Sequence, residues 1–349
     1  MRLPAADAAP PQVLPKVTVS ADVPLIKVAE FRMRERRFAP AAVAHKDSLY
    51  IIGGLVSDGN LSNSIERLDV RTGQSEIVAR LRIPRLWHRA VVVGDKIYVL
   101  GGMTTGIGAT DHATHLESAM RLNRRVPQIV EMPMAQIGLD VEDSVEIVDL
   151  VSGTVSPGPK MPDPRSQFAC VKLGGSLYVV GGRRVFRGKL SCTNTTEILD
   201  LAQSNWRQGA PMPTAQETDG AVVDGGFIVV AGGYTGLHPT SEVNVYDPRD
   251  GTWRTITPLC RSTSAHAVVF FGSYLFLFGD YETPERLLAY NLKTKQSEIF
   301  TLGYTAARHT AAVVNDGRFY VVGGKEIRDS DPLDLIQVFA PTKSAERRP

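Results

Sequence analysis

Tyr50-Ile51-Ile52-Gly53-Gly54 is the stretch on which the fold turns: a short aromatic and β-branched run that stops at two glycines. The signal returns as YVLGG ending at Gly102, YVVGG at Gly182, IVVAGG at Gly233 and YVVGG at Gly324, and a sixth copy, LFLFGD, ends at Gly279–Asp280. Between the first glycines of successive copies the steps are 48, 80, 51, 47 and 44 residues. A period of this size marks repeated supersecondary units, none of which buries its apolar face alone.

The flanks repeat too. Ahead of the glycines an alternating run recurs, as in HRAVVV from His88, FACVKL from Phe168, HAVVFF from His266 and HTAAVV from His309. Behind them a second run closes on Asp or Asn: IERLD to Asp69, VEIVD to Asp149, TEILD to Asp200, VNVYD to Asp247 and LLAYN to Asn291. Trp206 and Trp253 stand six residues past Asp200 and Asp247, where other copies have Ser75, Val155 and Ser297. Period-2 alternation bounded by Gly, Asp, Asn and Pro is the strand signal, and four strands to a unit make a propeller blade. Glycine suits the strand exits because, lacking Cβ, it accepts positive φ and close approach of a neighbouring blade.

This order of diglycine, Tyr-Asp-like strand end and following Trp resembles the kelch repeat family over about residues 24 to 341, and the Trp-Asp dipeptide of WD40 repeats is absent. The resemblance implies an all-β, six-bladed kelch-type β-propeller. The last copy has a third strand, LIQVFA to Ala340, and then only a basic tail, whereas LIKVAEFRM, Leu25 to Met33, is an orphan strand before blade one. The N-terminal strand is therefore expected to form the outer strand of the last blade, closing the ring and removing an exposed edge. The expected organisation is a flexible lead over 1–22, one propeller over 23–341 and a tail over 342–349. The long second step reflects a loop insertion in blade two, 103–141, read as a lid or docking arm with a polar helix over 109–125.

Composition narrows the function classes. The 349 residues carry a formal net charge of +2, 43% apolar and 22% charged side chains, which suits a buried core and excludes a dedicated nucleic-acid or anionic-membrane binder. No apolar run approaches a membrane span. Three cysteines, Cys170, Cys192 and Cys260, are too scattered for a disulfide framework or a zinc site, so free thiols and a cytoplasmic monomer are expected; a removed export signal stays open. Asp111, His112 and His115 in the insertion offer no fourth ligand, so neither metal nor other cofactor is expected.

In a propeller, the loops that enter the innermost strands and those that leave the second strands open on one face. The candidate ligand-binding residues on that mouth are Arg37, Arg85, Trp87, His88, Arg165, Arg183, Glu217, Asp219, Tyr234, His266, Tyr281, Arg308, His309 and Lys325. His309 is aligned with His88 and His266 through a one-residue loop extension. Arginines of blades one to three should face acids of blades four and five, Glu217, Asp219, Asp280 and Glu282, making the mouth bipolar. Its arginine side would suit a small anion or a carboxylate-bearing peptide. Whether these arginines serve a ligand or the blades themselves is open at this level.

Blade five is the exception. Gly279-Asp280 replaces a diglycine and Arg286 follows six residues later, a pattern similar to bacterial N-acetylneuraminate epimerases (sialic acid mutarotases). That resemblance implies Asp280 as general acid/base and Arg286 as carboxylate clamp. Two readings result: a binding module for a protein, peptide or small anionic or sugar ligand, and a sugar mutarotase.

Overall fold

The structure, a computed structural model, describes residues 25–105, 139–187, 189–218, 220–326 and 330–342. Every regular element in it is a strand. β1 is Leu25–Arg32. Blade one holds β2 (Ala41–His45), β3 (Ser48–Ile52), β4 (Ser64–Asp69) and β5 (Ser75–Arg80). Blade two holds β6 (Arg89–Val93) and β7 (Lys96–Leu100), a ribbon of β8 (Met103–Thr105) and β9 (Leu139–Val141), then β10 (Val145–Asp149) and β11 (Val155–Pro157). Blade three holds β12 (Ala169–Leu173), β13 (Ser176–Val180), a hairpin of β14 (Arg183–Phe186) and β15 (Lys189–Cys192), β16 (Thr196–Asp200) and β17 (Asn205–Gly209). Blade four is β18 (Ala221–Asp224), β19 (Phe227–Ala231), β20 (Val243–Asp247) and β21 (Thr252–Ile256). Blade five is β22 (Ala267–Phe271), β23 (Tyr274–Phe278), β24 (Arg286–Asn291) and β25 (Gln296–Thr301), and blade six has β26 (Ala311–Asn315), β27 (Arg318–Val322) and β28 (Leu335–Pro341).

The sheets are antiparallel meanders, and the sixth runs β1-β28-β27-β26. Leu25 pairs with Pro341 and Arg32 with Leu335, so the first strand completes the last blade as expected. The innermost strands β2, β6, β12, β18, β22 and β26 touch in sequence, and β26 returns to β2. Apolar clusters fill the wedges between blades. Phe276 and Phe278 of blade five meet Phe319 and Phe339 of blade six, and Tyr320 and Ile336 of blade six meet Leu49 and Ile51 of blade one.

The repeated residues have local causes. Gly53 and Gly54 take φ of 59° and 95°, and a Cβ on Gly53 would lie 2.6 Å from the carbonyl oxygen of Arg85 in the next blade. The strand-ending Asp accepts backbone N–H bonds two and three residues on, as Asp200 does from Ala202 and Gln203, both 2.9 Å, which turns the chain into the outer strand. The recurrent Trp reaches the preceding blade: Trp206 Nε1 donates to Pro159 O and Trp253 Nε1 to Ala210 O, each at 3.0 Å.

Candidate functional site

One face of the ring is built from two kinds of connection. In five of the six blades the residue entering the innermost strand bridges to the residue after the diglycine: Phe38 to Leu55, Leu86 to Met103, Ser166 to Arg183, Glu217 to Tyr234 and Arg308 to Lys325. Just inside these bridges a girdle of main-chain hydrogen bonds runs from blade to blade. Ala39 N donates to His309 O (3.1 Å), Trp87 N to Ala39 O (3.3 Å) and Gln167 N to Trp87 O (3.0 Å). Thr218 N donates to Gln167 O (2.9 Å) and His309 N to Ala265 O (2.8 Å). Ala39, Trp87, Gln167, Ala265 and His309 all hold φ between 50° and 55° to make this possible. Left-handed backbone costs a side-chain-bearing residue about 1 kcal/mol, comparable to the worth of one such bond, so each holds only because its neighbours hold. The rim is thus a rigid frame.

The arginines do not reach this rim. Arg37, Arg85 and Arg165 are 0% exposed. Arg85 donates to Gly101 O at 2.9 Å and meets Glu146 Oε1 at 2.7 Å; Arg165 meets Glu197 Oε1 at 2.7 Å; Arg37 donates to Gly53 O and Ser64 Oγ and lies 3.6 Å from Glu66. Burial lowers the three guanidinium pKa values and the paired glutamates oppose it. A side chain with no exposed surface cannot receive a ligand, so the bipolar mouth is corrected: these arginines brace the strands of their own blades.

Position by position, the partner three residues before the strand-ending Asp or Asn follows suit. Arginine faces Glu66, Glu146 and Glu197 in blades one to three, whereas Gln216 and Asn244 occupy the same two places in blade four. The charge therefore disappears from both members together.

The histidines are also reassigned. His88 and His266 are buried, and His266 Nε2 donates to Ala231 O of blade four at 3.0 Å. Burial pushes His88 well below its usual range and His266 to about 4. His309 is not their equivalent. β26 and β27 join through the same two-residue turn as β2 and β3, with no loop extension, so Thr310 takes that place and His309 aligns with Trp87 in the girdle. Burial, reinforced by Arg308, Arg89 and Arg183, holds His309 near 3, and its Nδ1 accepts from Trp87 Nε1 at 3.3 Å. A neutral imidazole is what that bond requires.

The mouth is floored by buried apolar packing and ringed by cations stacked on aromatic rings. Over blades one and two, Phe38, Leu55, Leu86 and Met103 pack with Trp87, with Leu139 and Val141 of β9 and with Leu190 of β15. Around the rest, cations lie over rings: Lys325 Nζ is 5.4 Å from the Phe38 centroid, Arg308 Cζ 4.5 Å from Tyr281 and Arg183 Cζ 5.9 Å from Tyr234. Arg183 pairs with Glu217, which also accepts from Gln167 Nε2 at 2.7 Å. Burial would lower the Arg183 pKa, and Glu217 outweighs it. Asp219 and the central part of the blade two insertion, with Asp111, His112 and His115, lie outside the described residues.

Asp280 is buried and occupied. Its Oδ1 accepts from Glu282 N (3.0 Å), Thr283 N (3.0 Å) and Thr283 Oγ1 (3.2 Å), and its Oδ2 from Thr263 Oγ1 (2.9 Å) and Ser264 N (3.3 Å). Burial raises the pKa, but these bonds outweigh it and hold the carboxyl below its ordinary value. Asp280 is not among the left-handed residues, and Ser264 makes no bridge to Tyr281 as its counterparts do. The carboxylate caps an altered turn. Arg286, exposed at the start of β24, is not among its partners.

The β14–β15 hairpin escaped the sequence reading. Its signal was present: RRVF and KLSC alternate around an Arg187-Gly188 pair of the kind that turns a two-residue hairpin.

Known proteins match this chain in part. The family model described as "Kelch motif" matches residues 36–82, 164–213 and 220–259. Kelch-like protein 25 of Rattus norvegicus is 27% identical over 195 residues, 52% of this chain and 33% of that protein. Kelch repeat and BTB domain-containing protein 12 of Danio rerio is 27% identical over 227 residues, 60% of this chain and 32% of that protein. The chain thus spans about a third of the length of these relatives. A solved structure, that of YjhT, superposes with a TM-score of 0.68 at 11% identity, covering 88% of this chain and 95% of the other, a likeness of fold.

Proposed function

Because the chain belongs to the kelch-repeat family of β-propellers, we propose that it is a binding module whose mouth face docks a protein partner. One observation carries this reading. Among the described residues six large apolar side chains stand exposed, and four of them, Val185, Phe186, Leu237 and Tyr281, sit on the connections that leave the second strands of blades three, four and five. They share one face with half-buried Trp87 and the stacked cations. Aromatic and arginine anchors on a rigid frame are the side chains that carry binding energy in protein interfaces, because they lose little freedom on docking. A rim of girdled backbone supplies that rigidity.

The test compares partner capture by three proteins: native chain, Leu237→Asp with Tyr281→Ala, and Val151→Asp, whose side chain stands exposed in the turn between β10 and β11. A partner set lost only with the first variant supports the proposal; equal capture by all three overturns it. A sialic-acid-like sugar isomerase is the rival reading. It requires a carboxyl that exchanges protons near neutrality, and the hydrogen bonds around Asp280 favour a permanently ionised one. Anomer exchange followed by NMR with native protein and Asp280→Asn separates the two.

A further inference from the structure

The outer strand of blade five differs from its counterparts in what guards its edge. An outermost strand leaves a row of backbone N–H and C=O groups unpaired, and natural sheets blunt such edges with basic side chains, proline, bulges or short strands. β1 carries Lys27 and a register shift between Lys27 and Ala29. β5 carries Arg80 and a register shift opposite Ile65 and Glu66, and its Ser75 O accepts from Arg34 Nε at 2.8 Å. β11 is three residues long and ends at Pro157. β17 and β21 hold Arg207 and Arg254. Among the described residues β25 alone has none of these devices: its six residues, QSEIFT, pair with β24 in unbroken register.

Which backbone groups of β25 face outward follows from its ladder. Leu302 N donates to Glu285 O, one step beyond the pair of Arg286 and Thr301. Antiparallel bonds recur at every second residue, so Phe300, Glu298 and Gln296 spend theirs on β24. Ser297, Ile299 and Thr301 therefore turn their N–H and C=O away from the blade. Side chains alternate as well. Phe300 packs against the apolar cluster shared with blade six, and Ile299, on the opposite face, is 40% exposed. Ser297 is anchored on that face by Cys260, whose N–H donates to its Oγ at 2.7 Å.

We propose that β25 pairs edge to edge with β25 of a second copy of the chain, antiparallel and about a two-fold axis through Ile299. The edge is complementary to itself in that register. Ile299 exchanges both backbone bonds with Ile299, Ser297 with Thr301 and Thr301 with Ser297, and the exposed isoleucine side chains meet across the axis. Glu298 stands opposite Phe300. Centring the axis on Glu298 instead would set two carboxylates directly opposite each other, which disfavours that register. A foreign strand would use the same backbone groups, but nothing on this edge selects its side chains, whereas a second copy brings its own Ile299. The inference is independent of the mouth face and departs from the monomer expected from the sequence.

An edge-to-edge contact buries far less than the roughly 1,600 Å² of a stable interface, so the dimer is expected to be weak and to form at high concentration. Sedimentation velocity of the full chain from micromolar to millimolar concentration should show the native species shifting from monomer toward dimer. Ile299→Lys, which sets two ammonium groups across the axis, should weaken association at least about tenfold. Ile299→Val should retain it, and so should Val151→Lys, which removes a more exposed apolar side chain away from the edge. Unchanged urea transitions exclude unfolding as the cause. Hydrogen exchange resolved by mass spectrometry supplies a second readout: β25 should gain protection as the native concentration rises, and the outer strand β17 should not. A native chain that stays monomeric at millimolar concentration, or a dimer that Ile299→Lys leaves intact, overturns the proposal. Protection of β25 that appears only when cell extract is added to a monomeric chain overturns it too and assigns the edge to a foreign strand. Leu237→Asp with Tyr281→Ala should dimerise as the native chain does, so failure of the mouth-face reading would leave this result unchanged.

Discussion

Arg165 and Glu197 meet at 2.7 Å inside blade three, a guanidinium with no exposed surface against a carboxylate almost as deeply buried. Burial pulls the arginine down and pushes the glutamate up, so each is displaced toward its neutral form and each is held charged by the other. The pair repeats as Arg85–Glu146 and, more loosely, Arg37–Glu66, then gives way to Gln216 and Asn244. Desolvation of two ions offsets most of their attraction, so these pairs specify geometry more than they add stability.

Removing one partner should therefore hurt more than removing both. Glu197→Gln leaves Arg165 buried without its counter-ion and is expected to cost about 3 kcal/mol. Arg165→Gln with Glu197→Asn, which copies the blade four arrangement, should cost distinctly less. Urea midpoints of the native chain and the two variants decide it; additive losses would contradict the coupling.

Buried His266 and half-buried His309 predict acid lability, and the sign is definite. His266 sits near 4 and His309 near 3 in the folded chain, both below the ordinary 6.5. Unfolded imidazoles bind protons first as pH falls, so stability is full above about 6.5 and declines toward the folded values. Each histidine should remove up to roughly 1.4 kcal/mol per pH unit below that point. Urea melts between pH 7.5 and 5, where carboxylates hardly titrate, should show the slope, and His309→Gln should reduce it while His88 and His266 keep the remainder.

The blades were legible in the sequence because their marks are local. A diglycine demanding positive φ at Gly53 and Gly54, or an Asp200 that caps its own turn, needs nothing but neighbours in the chain. The site was not, because its meaning depends on residues in other strands. Arg37 looks like a mouth residue until Glu66 and Ser64 of β4 are set beside it. The paired change to Gln216 and Asn244 is the clue that reads it correctly. His309 was misplaced for a related reason: the length of the β26–β27 turn decides whether it or Thr310 matches His88.

Asp280 should behave as a structural carboxylate. Backbone donors converge on both oxygens, Glu282 N and Thr283 N on Oδ1 and Ser264 N on Oδ2. In Asp280→Asn the amide NH2 must face one set of donors whichever way it turns. The expected cost is about 2 kcal/mol, read from the thermal or urea transition. A variant as stable as the native chain would mean that the carboxylate is not held for the turn.

The seam where the ring closes should be the point from which it opens. Phe31 of β1 pairs with Ile336 and is buried among Leu49 and Ile51 of blade one and Tyr320 and Val338 of blade six, so one side chain joins the two ends of the chain. Phe31→Ala is expected to cost about 3–4 kcal/mol from lost burial and the cavity left behind. The position gives it a further signature. With the outer strand loosened, amides of β28 should exchange faster than those of β13 or β19, which lie far from the seam in the ring. Phe276→Ala, a deletion of similar size within blade five, should lower stability without that bias. Hydrogen exchange resolved by mass spectrometry distinguishes them, and uniform loss of protection in Phe31→Ala would show that closure does not depend on this strand.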